Sequence, residues 1–149
     1  MSLQQKVMED MKAAMRAKDA VALEALRAIK SAILLAQTES SSKDLSEKDE
    51  LKILQKLVKQ RRDSAQIFTE QNRADLAEPE LNQAKIIEKF LPEQLSEEEI
   101  TAIVKQVISD TGAASMSDMG KVMGAANAKI AGRADGKTIS TIVKRELSS

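Results

Sequence analysis

The chain has 149 residues, 23 of them basic and 23 acidic, with no histidine, no cysteine and two aromatic residues, Phe68 and Phe90. The length suits one domain or two small helical ones, and the missing residue types exclude disulfides, ordinary zinc sites, thiol nucleophiles and the commonest general base. Balanced charge excludes a global positive field, so any site for a polyanion has to be a local patch.

No stretch approaches the roughly 18 uncharged apolar residues of a membrane span. The start, MSLQQKVMED, carries no apolar leader core, which gives the expectation of a cytoplasmic address and no membrane partner. The dominance of Ala, Leu, Ile, Lys, Glu and Met over aromatic residues predicts an all-α fold. Leu3, Val7, Met11 and Met15 mark one face of a first helix, and Asp19 caps a second that bears Leu23, Leu26, Ile29 and Ile33. The two form a hairpin. The polar stretch Thr38 to Asp44 then reads as a loop, because its serines compete for backbone hydrogen bonds.

A long helix follows, with Ser46 as N-cap, Asp49 at the third position, and Leu51, Leu54, Val58, Arg61, Ala65 and Phe68 at helical spacing as far as Asn72. Pro79 predicts a fresh first turn after Glu78, and Leu81, Ala84, Ile87 and Leu91 give an apolar face that ends at Pro92. These helices pack antiparallel, since propensity alone leaves a long helix marginal in water. Residues 1–92 are thus expected to form an extended helical hairpin or bundle.

The boundary reads FLPEQLSEEEI. Ser96 and Glu99 make a capping box, Leu95 and Ile100 a hydrophobic staple, and three acids favour the positive end of the helix dipole. Ile100, Ile103, Val104, Val107 and Ile108 are expected to bury one side before Gly112 stops the helix. Ser115, with Asp118 in capping-box position, starts a helix from Met116 to Ala131; Gly132 ends it, and Asp135 caps a last helix bearing Ile139, Ile142, Val143 and Leu147. Residues 93–149 form a small three-helix domain.

The middle helix of this domain holds the first candidate site. Met119, Met123, Ala126 and Ile130 read as a core stripe in the Met116 helix, with Gly120, Gly124 and Ala131 on an adjacent flat strip. A glycine inside a helix is unfavourable by about 0.5–1 kcal/mol against alanine, so it needs a packing or a ligand reason. Close approach of a second helix is one reading; a nucleic-acid backbone against Gly120 and Gly124, with charge from Lys121, is the other. In GRADGK, capping accounts for Gly132 and Asp135 but not for Arg133 and Lys137, which join Lys129, Lys144 and Arg145 in a local cationic cluster beside a helix N-terminus suited to phosphate. Solvated charge is the competing reading. On the long helix Lys52, Lys56, Lys59 and Arg62 follow one row, while Arg61 falls on the apolar stripe and is expected to pair with a carboxylate such as Glu88.

LPEQLSEEE, DMGKVMG and GRADGK, in that order after a half containing KQRRDS, resemble the GatB/YqeY family across essentially the whole chain. The C-terminal domain is similar to the tail domain of the GatB component of the glutamine-dependent aspartyl/glutamyl-tRNA amidotransferase. That resemblance implies a part that holds tRNA without the catalytic cradle, although the family is associated with carbon–nitrogen ligase chemistry that takes its amido nitrogen from glutamine. With nucleic acid as the ligand, the candidate contact residues read above are Lys121, Lys129, Arg133, Lys137 and Lys144, with Gly120 and Gly124.

The residues themselves point away from catalysis by this chain alone. The acid–base inventory lacks His and Tyr, a helical carboxylate metal site of the Glu-x-x-His type is impossible, and GRADGK does not have the spacing of a phosphate loop. No cofactor and no metal are implied. Two readings stand: a tRNA-binding accessory protein, whose partners are tRNA or another structured RNA and a tRNA-modifying or aminoacylation enzyme; and a helical protein-interaction adaptor docking a partner helix through Met116, Met119 and Met123 or through the apolar side of the N-terminal bundle. The oligomeric state is left open.

Overall fold

The computed structural model describes residues 2–39 and 44–148. Among them are seven α-helices and no strand: α1 (Leu3–Ala17), α2 (Ala20–Glu39), α3 (Glu47–Glu70), α4 (Ala74–Glu88), α5 (Glu97–Thr111), α6 (Met119–Ile130) and α7 (Gly136–Ser148). The all-α class read from composition holds. Contacts divide the chain into two compact units, Met1–Leu91 and Pro92–Ser149.

Helix starts follow local side-chain chemistry. The hydroxyls of Ser2, Ser46 and Ser96 accept the amides of Gln5, Asp49 and Glu99, and the side chains of those three residues accept the serine amides in return. Each box satisfies two of the amides that a helix start leaves without partners. Asp19 and Asp135 cap α2 and α7 by accepting the amides of Ala22 and Thr138 at 3.1 and 2.6 Å. Thr38 and Glu39 extend α2 instead of opening the expected loop, and the Thr38 hydroxyl returns to the Leu35 carbonyl. The loop expected over Ser40 to Lys43 lies outside the described residues.

Within the N-terminal unit α3 and α4 make the most extensive helix pair, and α2 packs on α1, α3 and α4. Val7, Ala14, Ala25, Leu26, Ile29, Ile33, Leu54, Val58, Ala84 and Ile87 are its buried core. Two faces differ from the spacing-based expectation. In α1 burial passes from Val7 to Ala14 and leaves Met15 52% exposed, because a strict four-residue repeat drifts around a helix of 3.6 residues per turn. In α4 Leu81 is 43% exposed while Ala84 and Ile87 are buried, because each three-residue step falls about 60° short of a full turn and leaves Leu81 on a different side from Ile87.

α4 also begins before Pro79, at Ala74, with Pro79 inside the helix. The start is set by the Arg73 carbonyl, which accepts the amides of Leu76 and Ala77, and by the Arg73 guanidinium gripping Asp75 through two bonds of 3.0 Å. Ala77, 3% exposed, is buried there. Of the turn that precedes Pro79 only Ala77 is buried, and the helix continues through the proline without the hydrogen bond that its missing N–H would have made.

Arg61 does not pair with Glu88. Its Nε donates to Gln83 Oε1 at 2.9 Å and its Nη1 to the Leu57 carbonyl at 3.2 Å, and Glu88 is taken by the neighbouring Arg62. Helical geometry decides this: Arg61 points along the apolar seam, where Gln83, 6% exposed, waits on α4, whereas Arg62 is turned outward to the rim. A neutral amide satisfies the guanidinium without burying a second charge. Gln83→Ala leaves that guanidinium short of an acceptor and is expected to lower stability by about 1–3 kcal/mol in urea unfolding followed by circular dichroism. The double change Arg61→Met with Gln83→Leu is expected to recover most of the loss.

In the C-terminal unit α5, α6 and α7 pack pairwise around Ile100, Val104, Val107, Val122, Ala126, Ile130, Ala134, Ile139, Ile142, Val143 and Leu147. Gly112 closes α5 at φ 68°, a left-handed cap that suits glycine. Met116–Asp118 form a 3-10 turn and the α-helix starts only at Met119, so the expected Met116 start is corrected by one turn. Asp118 explains it by folding its carboxylate back onto the amides of Ala114 and Ser115. At the other end Ala131 itself takes the left-handed cap, φ 48°, and Gly132 follows at φ 82°.

Candidate nucleic-acid interface

The buried stripe of α6 is Val122, Ala126 and Ile130; Met119 and Met123 are only partly buried at its edge. Ala126 and Ile130 are buried as expected, and β-branched Val122, fully buried, joins them where Met119 and Met123 were expected. Met119 and Met123 pack against this core and Met116 stays 45% exposed, so the three methionines do not form one docking face.

Gly120 and Gly124 face outward beside this stripe. A Cβ built on either meets nothing within 4 Å, which removes close helix packing as their reason. Gly120, Lys121, Gly124, Asn127, Ala128 and Ala131 instead make an exposed, nearly bare helix face. Asn127 was not singled out from sequence, although its spacing of three from Gly124 places it there.

The cations of this unit separate into two groups. Lys129 pairs with Asp110 at 3.5 Å, and Arg145 pairs with Glu97 at 3.1 Å and Glu146 at 3.4 Å and donates to Thr101 at 2.9 Å. Both therefore tie α6 and α7 to α5. Half-exposed pairs of this kind contribute little stability, about 0–1 kcal/mol each, but they hold the two side chains toward α5. Arg133 serves the chain entry: its carbonyl accepts the Leu95 amide at 2.7 Å, its Nε donates to the Glu93 carbonyl at 3.3 Å, and Gln94 bridges Pro92 and Gly132. Gln94 carried no sequence signal for this, since the contact spans 38 residues.

The second group points to water. Lys137 and Lys144 lie seven residues, close to two turns, apart on the exposed face of α7 with Thr141 between them. Neither makes an ion pair among the described residues. Lys121 donates to the Thr111 carbonyl at 3.3 Å. After Thr111 the chain holds Lys121, Lys129, Arg133, Lys137, Lys144 and Arg145 against Asp118, Asp135 and Glu146, and Asp118 and Asp135 are occupied as caps. The acids of the unit are concentrated on α5.

Hydrogen bonds from the amides of Ala114 and Ser115 hold the Asp118 carboxyl below the ordinary aspartate range. A carboxyl depressed by folding favours the folded state above its unfolded value, near 3.9, and loses that contribution as pH falls through the lower folded value. Asp118→Asn is accordingly expected to flatten the fall in melting temperature below about pH 4, read by circular dichroism. Because the α6 glycines face open space, Gly124→Ala is expected to raise stability by about 0.5–1 kcal/mol in the same melts.

A family model described as "Yqey-like protein" matches residues 4–147. The chain is 38% identical over 105 residues to "Altered inheritance of mitochondria protein 41, mitochondrial" of Kluyveromyces lactis, covering 68% of this chain and 56% of that protein. It is 35% identical over 104 residues to the protein of the same name in Lachancea thermotolerans, with the same two shares. It is also 41% identical over 73 residues to a component of the glutamyl-tRNA(Gln) amidotransferase of Thermococcus gammatolerans, covering 46% of this chain and 12% of that component. The chain thus spans little more than half the length of the mitochondrial relatives. The expected cytoplasmic address is overturned by these relatives, which are named as mitochondrial proteins. Matched by the family model over nearly its whole length, the chain belongs to the Yqey-like protein family.

Proposed function

We propose that this protein is an accessory RNA holder of the tRNA class, which grips phosphates with its C-terminal unit and leaves amide-forming chemistry to a partner enzyme. The observation that carries the reading is the pair Lys137 and Lys144, exposed on one face of α7 without an acidic partner among the described residues. Similarity to part of an amidotransferase that is named for tRNA supports the choice of RNA among polyanions.

The physical role of each part follows from counterion release. Cations that meet phosphates displace condensed counterions, and this supplies affinity without reading sequence. Lys137, Lys144 and Lys121 provide such charge. Lys129 and Arg133 lie near the α6–α7 turn but are first engaged by Asp110 and the Glu93 carbonyl, so they add to the local potential more than to direct contacts. The bare surface at Gly120 and Gly124 admits a sugar-phosphate strand that larger side chains would hold off.

Anisotropy of a labelled tRNA transcript, titrated over a series of salt concentrations, tests this. Lys137→Ala and Lys144→Ala are each expected to weaken binding and to reduce the slope of log K against log salt by about 0.9. Gly124→Gln is expected to weaken binding while leaving the slope unchanged. Affinity indifferent to salt and to both lysine changes would falsify the proposal.

A further inference from the structure

Between Leu51 and Arg62 the sequence holds five cations and no acid, in a chain that is neutral overall. Two of them, Arg61 and Arg62, are engaged by Gln83 and Glu88. Lys59 is paired with Asp63 at 2.7 Å; it lines up with Lys48, Lys52 and Lys56, and all four are exposed on α3. At 3.6 residues per turn they fall within an arc of about 80°, in a row about 16 Å long.

This ridge works against the helix that carries it. Like charges four residues apart destabilise a helix, and a merely solvated face ordinarily alternates sign. Acids border the ridge at its two ends. The Ser46 hydrogen bonds, and after them the charges of Lys52 and Lys48, hold the Asp49 carboxyl below the ordinary aspartate range, and Asp63 pairs with Lys59 at 2.7 Å; helical spacing places Glu47 and Glu50 on other sides of α3, so cations still outnumber acids along the row.

We infer that the Lys48–Lys52–Lys56–Lys59 ridge is a second polyanion contact, which takes a phosphate strand of the folded RNA held by the chain; it rests on the reading of the protein as an RNA holder. Charge complementarity commits it to this occupant. A straight row of cations one helical turn apart faces a strand that carries one charge per roughly 3.4 Å of its axis, and no base-reading group stands in the row. The contact is sequence-independent and sensitive to salt.

The test uses the full chain and a labelled tRNA transcript, with Lys48, Lys52 and Lys56 all changed to Gln. Glutamine keeps a similar helix propensity and removes the repulsion, so the helix is expected to remain, as circular dichroism would verify. Loss of up to three phosphate contacts is expected to lower affinity at least tenfold at low salt and to reduce the salt slope by about two to three units. Should the triple variant bind like the unaltered chain while Lys137→Ala weakens binding, the ridge is a solvated face and the inference falls alone. Should the triple variant lose affinity while Lys137→Ala and Lys144→Ala change nothing, the ridge stands and the C-terminal grip falls. Failure of the unaltered chain to bind the transcript, or its preference for phosphatidylserine vesicles, would overturn both.

Discussion

Two phenylalanines are the only large planar side chains available to this protein, so both cores have to be built from aliphatic groups. Such side chains bring little area each, and close packing of many of them is the only way to hold a helix against its loss of conformational entropy. Alanine and β-branched residues occupy the seams: Ala25, Ala84 and Ala126 allow close approach, while Ile29, Ile87, Val104, Val122, Ile130 and Ile142 fill the space between helices. Seams of this kind tolerate little misregistry, and the fold depends on devices that set register at helix ends. Serine capping boxes at Ser2, Ser46 and Ser96 fix where α1, α3 and α5 begin, and the Arg61–Gln83 bond fixes α3 against α4 from inside their interface.

The same economy shapes the charged surface. Lysines and arginines that look equivalent in the sequence divide into those that complete the fold and those that do not. Lys129, Arg133 and Arg145 each find an acceptor far along the chain, on α5 or on the segment before it. Lys137 and Lys144 are exposed with no such acceptor among the described residues. A polyanion meets the second kind at full strength, whereas the first kind must exchange one partner for another. The C-terminal unit as a whole is not basic; the grip on phosphate proposed for it comes from sorting acids onto α5 and cations onto α6 and α7.

The glycines of α6 express a related compromise. Nothing approaches Gly120 or Gly124, and a methyl group at either would be accommodated. The helix therefore forgoes stability for a smooth surface, a pattern that fits a site of contact better than a site of packing.

The sequence by itself determined the helical class, the caps at Ser46, Ser96, Asp19 and Asp135, the stop at Gly112 and the family, because each rests on chemistry within a few residues or on a motif read in order. It also placed Ile139, Ile142, Val143 and Leu147 in the core, since a short amphipathic helix leaves little choice of face. Tertiary structure alone decided the rest. It chose Val122 over Met119 and Met123 for the α6 seam, gave Glu88 to Arg62 and Gln83 to Arg61, started α4 ahead of Pro79, and turned Gly120 and Gly124 to open space. Except at the α4 start, which the Arg73 carbonyl and the Arg73–Asp75 pair set locally, one turn of helix offers two adjacent faces, and the choice between them is made by which neighbouring helix has room, a quantity that no local spacing contains.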